Sequence, residues 1–249
     1  MNTKPTKAIL DGDIIAYRAA YWADHEGIDD LPYRIKRDLK NWTPSGCTES
    51  IVAMSCPRES NYRRDFWPAY KQHRDSFVKP DAMEYCLELI YENSDAVCVN
   101  RLEADDLIGM MASREEAIGV TVDKDLRQVP GWHWNPDKEK EPIFISEEDG
   151  DRFFYQQWMS GDSTDNIWGL WRVGPKIADK ILDSHDREEW DNVILDRYEL
   201  EDWDRRPDNR TPSISRKDFA LSQARCVRIL RDGDYDKETK EVSLWAPVE

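Results

Sequence analysis

Ala8-Ile9-Leu10-Asp11-Gly12-Asp13, running on into Ile14 to Tyr21, is an apolar run that ends on two carboxylates and then takes up helical spacing. Three apolar residues in a row, with no polar alternation, suit a strand buried on both faces. The stretch therefore predicts a short strand and then a helix from Ile14, with Asp13 as its N-cap. The same order recurs downstream. Ser50–Ser55 (SIVAMS), Asp95–Asn100 (DAVCVN) and Ala117–Val122 (AIGVTV) are further buried-strand candidates. Asp81 to Tyr91, apolar at Met83, Leu87 and Ile90, and Glu103 to Ala112 are the helices expected between them. Strands alternating with helices predict an α/β fold on a central, mostly parallel, twisted sheet flanked by helices.

In such sheets ligands lie outside the carboxyl ends of the strands. Asp11 and Asp123 each follow an apolar run, and Glu103 lies just beyond the strand expected to end near Asn100. The acidic groupings Asp11-Gly-Asp13, Glu103-Ala-Asp105-Asp106, Asp123-Lys-Asp125 and Asp162-Ser-Thr-Asp165 thus bring carboxylates from separate segments toward one edge. Close pairs repel by about 4 kcal/mol at intermediate dielectric, which bound cations offset. A site for hard divalent metals follows. Glu103 at the cap of its helix lets Glu103 and Asp105 both reach that site, and Asp123 and Asp125 share a face if the chain stays extended through Lys124. Each grouping alone also suits a turn or an acidic first helical turn; their order and company favour the metal reading.

Beyond Gly131, Trp132 to Asp137 and Pro142 to Ser146 suggest a hairpin, Glu147 to Ser160 a helix, and Ile177–Leu182 and Arg216–Leu230 two more. The expected division is 1–160 as an α/β core and 161–249 as a helical part. Gly169-x4-Gly174-Pro175-Lys176 opens the second of these helices. Its backbone N–H groups and the following helix N-terminus suit a phosphate, and Pro175 suits the first helical position. A plain helix connection is the alternative.

The 249 residues carry a net charge of −16 with pI near 4.8, an adverse balance for a polyanion partner. Two basic islands stand out against it. Arg58, Arg63, Arg64, Lys71, Arg74 and Lys79 form one, and Arg172, Lys176 and Lys180 the other. In the first, Lys71 and Arg74 share a helix face at i, i+3 if the segment is helical, while Tyr62 and Tyr70 are placed to stack on bases. His73 lacks a second His or Cys at ligand spacing and reads as a surface residue. The five cysteines are odd in number and never form a CxxC pair, which argues against disulfides and zinc and for a reducing cytoplasm. No apolar stretch is long enough to span a bilayer, so no membrane association is expected, and a monomer is the expectation.

With these residues in this order, the chain resembles the 5′ nuclease superfamily of flap endonucleases and 5′-3′ exonucleases, especially its compact phage members, from Ile9 to about Leu182. The resemblance implies a PIN-like 5′ nuclease fold with a helical arch near 58–80 and a helix-three-turn-helix motif at about 161–183. It also implies metal-dependent hydrolysis of DNA bearing a 5′ end or 5′ flap. Asp11, Glu103 and Asp105 would hold one Mg²⁺ or Mn²⁺ ion, with Asp106 in the same motif. Asp123, Asp125, Asp162 and Asp165 would hold a second. Lys71 and Arg74 would meet the scissile phosphate. Tyr62, Arg63, Arg64, Tyr70, Gly169, Arg172, Gly174, Lys176 and Lys180 would contact the nucleic acid, with K⁺ at the hairpin. Three departures stand out: Cys56 occupies the place of a usual aspartate, Arg172 that of a glycine, and the stretch from Asp106 to Asp123 is short. A PIN-like ribonuclease, and a DNA-structure binder that has lost its chemistry, remain as alternatives.

Overall fold

Lys7–Asp11 forms β1, and from Ala8 onward it is wholly buried because it takes an inner place in a six-stranded sheet. The structure, a computed structural model, describes residues 5–114, 116–203 and 214–247. β1 leads directly into α1 (Gly12–Glu26) and α2 (Leu31–Trp42), followed by β2 (Glu49–Met54), α3 (Met83–Asn93), β3 (Asp95–Cys98), α4 (Ala104–Ala112) and β4 (Ala117–Val120). β5 (Gly131–Trp134) and β6 (Ile143–Ile145) close the sheet, whose strand order is β3-β2-β1-β4-β5-β6. All neighbours are parallel except the β5–β6 hairpin. The expected strands, hairpin and parallel sheet are therefore present.

Two features differ from expectation. Asp11, not Asp13, is the N-cap of α1: its Oδ1 accepts the Ile14 N–H at 3.1 Å, because the helix already begins at Gly12. Gly12 is demanded by proximity, since a Cβ there would lie 2.2 Å from Met54 Sδ and 2.9 Å from the Ala53 carbonyl. α2 was not anticipated; its buried face is Leu31, Ile35, Leu39 and Trp42, at helical spacing.

The described chain divides into two compact units whose boundaries differ from a simple cut at 160. The first comprises Met1–Tyr62, Phe77–Gly150 and Ile229–Val242, and the second Arg63–Ser76, Asp151–Arg228 and Ser243–Glu249. The return to the first unit has a polar cause. Gln128 Oε1 accepts the Ile229 N–H at 2.9 Å, Asp106 Oδ1 accepts that of Leu230 at 3.3 Å, and Arg231 Nη2 donates to the Gln128 carbonyl at 2.6 Å.

The second unit takes the latter part of α5 (Glu147–Ser160), then α6 (Pro175–Asp183), α7 (Trp190–Leu200) and α8 (Arg216–Val227). Its core is aromatic, built on Phe154, Tyr155, Trp158, Tyr198 and Phe219. The polar tips are satisfied: Trp158 Nε1 donates to the Ala220 carbonyl at 2.8 Å, and the Tyr198 hydroxyl to the Trp158 carbonyl at 2.7 Å. Among the described residues no helix is long and apolar enough to cross a membrane.

The first unit also carries a pH-sensitive group. His133 on β5 is buried, its Nε2 donates to the Val129 carbonyl at 2.7 Å, and its Nδ1 has no partner. Burial pushes its pKa down from 6.5 to about 4. Between those values the unfolded chain binds a proton that the native ring refuses, so stability is lost as pH falls from about 6.5 to 4, by up to roughly 3 kcal/mol. Urea unfolding should give a free-energy difference between parent and His133→Gln that shrinks by that order from pH 7 to pH 4.

Candidate active site

The carboxyl end of β1 supplies the centre of the first unit's candidate site. Asp11 is the last residue of the strand, paired in register with Ala53, and is only 3% exposed. Its Oδ2 accepts the Thr121 hydroxyl at 2.7 Å, and the Thr121 oxygen accepts the Asp123 N–H at 3.0 Å, which fixes the start of the Asp123 segment against β1. Burial, with Asp13 and then Asp123 adding repulsion, pushes the Asp11 carboxyl up from 3.8 to about 7. A buried acid whose charged form is disfavoured by burial first and by neighbouring acids second is a site in want of a cation.

Asp13, counted from sequence in the Asp11-Gly-Asp13 grouping and read as an N-cap but assigned to no ion, stands at the same edge. Freed from capping, its Oδ1 accepts the Ser55 N–H at 3.2 Å, at the end of β2. Its negative charge also helps push the Cys98 thiol up. Ser55 in turn accepts the Ala104 N–H on its Oγ at 2.9 Å, tying the start of α4 to the same edge. The available signal was the Asp-Gly-Asp spacing, read with the helix starting two residues earlier.

Glu103 is at the N-cap of α4, as expected, and half-buried like Asp105. Asp106, expected in the same motif, is engaged by main-chain donors. It is fully buried, with Oδ2 accepting the Glu103 N–H at 3.2 Å and Oδ1 accepting that of Leu230, so its oxygens close a helix cap and hold the 229–231 strip. Asp123 and Asp125 do not share an extended face. Asp123 caps a 3₁₀ helix over Lys124–Gln128 and accepts the Asp125 N–H at 2.9 Å, so the chain turns at Lys124. Among the described residues no three His, Cys, Asp or Glu side chains stand close enough to hold an ion by themselves. The donor chemistry nonetheless fits a hard divalent cation, because carboxylate oxygens predominate and Asp11 is strained in charge.

In the second unit, Asp162 and Asp165 flank a 3₁₀ turn over Ser163–Asp165, with Asp162 Oδ1 accepting the Thr164 N–H at 2.7 Å. Lys71 and Arg74 lie in the same unit, but not on one α-helical face. Lys71 is left-handed, with φ of 51°, and the 3₁₀ helix Gln72–Ser76 begins after it. The segment 58–80 contains short 3₁₀ turns in place of the expected helical arch.

Several expected nucleic-acid contacts are corrected by burial. Tyr62 and Tyr70 are 4% and 3% exposed, so neither offers a face to a base. Arg63 is equally buried, its guanidinium donating to the Cys226 carbonyl at 3.1 Å and the Arg228 carbonyl at 2.6 Å. Arg64 is paired with Asp75 at 2.8 Å. Gly169 is also corrected: it is buried at a crossing of main chains, where a Cβ would lie 2.4 Å from the Gly161 nitrogen. What remains open is the start of α6. Gly174 is its N-cap with Pro175 first in the helix, and Asp179 is taken by Gln156 Nε2 at 2.8 Å and by Arg152 at 3.4 Å, leaving Lys176 and Lys180 exposed. Arg172 is exposed and left-handed, with φ of 61°, and its guanidinium stacks 4.3 Å from the Trp171 ring.

No family model matches the chain. The exonuclease of Escherichia phage T7 is 26% identical over 278 residues, spanning 96% of this chain and 93% of that protein. The solved phage T5 protein co-crystallised with metal ions shares the fold with a TM-score of 0.66 at 13% identity, covering 90% of this chain and 89% of that one. The chain resembles the 5′ nuclease superfamily in sequence and in fold. A phage T5 flap endonuclease complex with DNA and metal ions has the same fold, with a TM-score of 0.60 at 14% identity over 90% of this chain and 86% of that one. Cys56, read from sequence as a departure from the resemblance, lies just beyond β2. Its thiol is buried and pushed up, chiefly by desolvation. Asp13 Oδ1 accepts the N–H of Ser55, the residue just before Cys56.

Proposed function

We propose that this chain is a divalent-metal-dependent 5′-3′ exonuclease and 5′-flap endonuclease of DNA. The observation that carries the reading is the buried Asp11 carboxyl at the end of β1, with Asp13 and Asp123 against it, in a chain alignable nearly end to end with a phage exonuclease. Asp11, Asp13, Glu103 and Asp105 would hold one ion, and Asp123 and Asp125 contribute to a second. Mg²⁺ or Mn²⁺, when bound, supplies the charge that activates water and neutralises the phosphodiester.

The protein's own contribution is placement. Thr121 holds the Asp11 and Asp123 segments together by its two hydrogen bonds. Ser55 does the same for Asp13 and the start of α4. The 161–183 segment is read as the helix-three-turn-helix motif, where Arg172, Lys176, Lys180 and the N–H groups opening α6 face a DNA phosphate. K⁺ at the turn before α6 belongs to the same reading. Lys71 and Arg74 are read as cations for the DNA backbone.

Purified protein with Mg²⁺ or Mn²⁺ should cut 5′-flap and recessed-5′-end DNA, leave matched RNA ends largely intact, and stop in chelator. Asp123→Asn should lower turnover by roughly a hundred-fold or more with the fold retained by circular dichroism. Full turnover in that variant defeats the assignment, and faster cleavage of the RNA ends favours a PIN-like ribonuclease.

A further inference from the structure

Gln128 is the last residue of the 3₁₀ helix that follows Asp123, and it is 1% exposed. A buried amide must find its partners inside the protein. They lie 101 and 103 residues onward: Oε1 accepts the Ile229 N–H at 2.9 Å, and the Gln128 carbonyl accepts Arg231 Nη2 at 2.6 Å. Between those two residues, the Leu230 N–H goes to Asp106 Oδ1 at 3.3 Å in the first turn of α4, and the other oxygen of Asp106 accepts the Glu103 N–H. Consecutive amides of one strip are thus shared between the segment that carries Asp123 and Asp125 and the segment that carries Glu103 and Asp105.

Packing closes the same junction. A Cβ on Gly109 of α4 would lie 2.3 Å from the Leu230 carbonyl oxygen, 2.6 Å from Ile229 Cγ2 and 3.2 Å from Val129 Cγ2, so helix, strip and the end of the 3₁₀ helix meet without room for a methyl group. Farther on, the Asp232 N–H donates to Ser113 Oγ at 2.9 Å, at the C-cap of α4. Burial of Ile229 and Leu230 would be served by many placements of the strip. The alternation of donors is served by one, because a slip of one residue withdraws the Ile229 N–H from Gln128 and the Leu230 N–H from Asp106, both buried. Gln128 is uncharged, so its contacts stand with or without a bound cation.

We propose that Gln128 is a positioning residue: through the 229–231 strip it sets the Glu103–Asp105 and Asp123–Asp125 segments in register with each other, so that their carboxylates are held ready for divalent cations. The consequence for metal affinity rests on the metal reading above; the coupling of the two segments does not. The full chain would be compared with Gln128→Met and Ile35→Val by hydrogen exchange of the metal-free protein, read by mass spectrometry, and by Mn²⁺ titration followed by electron paramagnetic resonance. Methionine keeps the volume of glutamine and removes the acceptor, whereas Ile35→Val trims the buried face of α2 and serves as the control. Gln128→Met should speed exchange roughly ten-fold in both 103–107 and 123–129, leave Ala8 to Leu10 protected, and weaken manganese binding roughly ten-fold at unchanged stoichiometry. Ile35→Val should do neither. Gln128→Glu, which keeps an oxygen acceptor beside Arg231, should recover most of the protection.

Faster exchange confined to 123–129, unchanged exchange in both segments, or manganese affinity within twofold of the parent would overturn the proposal. So would an equal loss of affinity in Ile35→Val, since that would trace the effect to general loosening of the core. If Gln128→Met does not fold, Arg231→Met removes a donor on the strip's side of the same contact: it should open both segments together, and opening of one alone refutes the idea. A parent that binds no Mn²⁺ sinks the metal reading, while exchange in the two segments still decides whether the strip couples them.

Discussion

Asp11→Asn loses turnover on 5′-flap DNA by roughly a thousand-fold or more in Mg²⁺, yet in chelator the same variant melts at a higher temperature than the parent. Both results come from one carboxyl. Its pKa is raised to about 7, so without metal the native state prefers it protonated. The stability that this protonation gives is fully present below the unfolded value near 3.8 and is lost as pH rises through about 7. At pH 8 the ionised group costs the chelated parent roughly 2–4 kcal/mol. Asparagine removes the charge and keeps the geometry, since its Oδ1 still accepts the Ile14 N–H and its amide can donate to the Thr121 oxygen.

Thermal unfolding at pH 5 and pH 8, with chelator and with Mg²⁺, checks this. The chelated parent should lose stability across that interval relative to the variant, and Mg²⁺ should restore the parent alone. A variant that melts lower than the parent at pH 8 in chelator would show that the Asp11 charge is not the liability inferred here.

Gly169→Ala should destabilise the second unit by roughly 2–4 kcal/mol, combining a left-handed backbone with main-chain overlap. Gly169 has φ of 58°, and an added Cβ would meet the Gly161 nitrogen at 2.4 Å and the Met159 carbonyl at 2.6 Å. Gly174→Ala is the matched control. That residue has φ of −88°, and a Cβ there meets nothing within 4 Å, so stability should change by no more than about 0.5 kcal/mol. Urea unfolding of the two variants separates the glycines: the first is required for packing, and only the second lies where a phosphate would be met. Equal effects would mean that the 169–174 turn is deformable throughout.

Much of the first unit was legible because its strands are apolar runs. Ala8 to Leu10 and Ala117 to Val120 are buried on both faces, and a run without alternation says so. α2 was legible in principle at Leu31, Ile35 and Leu39, but those residues are diluted by Arg and Lys on the outward face. The failures share a different cause. Mixed aromatic and basic stretches read alike whether they face solvent or protein, and Arg63 is decided by carbonyls at Cys226 and Arg228, far along the chain. Asp106 was read with its acidic neighbours although its partner, the Leu230 N–H, is likewise remote. The cap of α1 fell to Asp11 and not Asp13 through a two-residue shift in the helix start, a boundary that local sequence specifies poorly.

The 229–231 strip sets an order of events in the life of the chain. Gln128 Oε1 and Asp106 Oδ1 receive the Ile229 and Leu230 N–H groups, and Gly109 its close neighbour at the Leu230 carbonyl, from residues made after the whole of α8. During synthesis the α/β sheet can assemble from the amino-terminal segments before these two donors exist. The last turn of the lock therefore arrives late, and a nascent chain stalled before Ile229 carries a nearly complete sheet that has not yet been sealed.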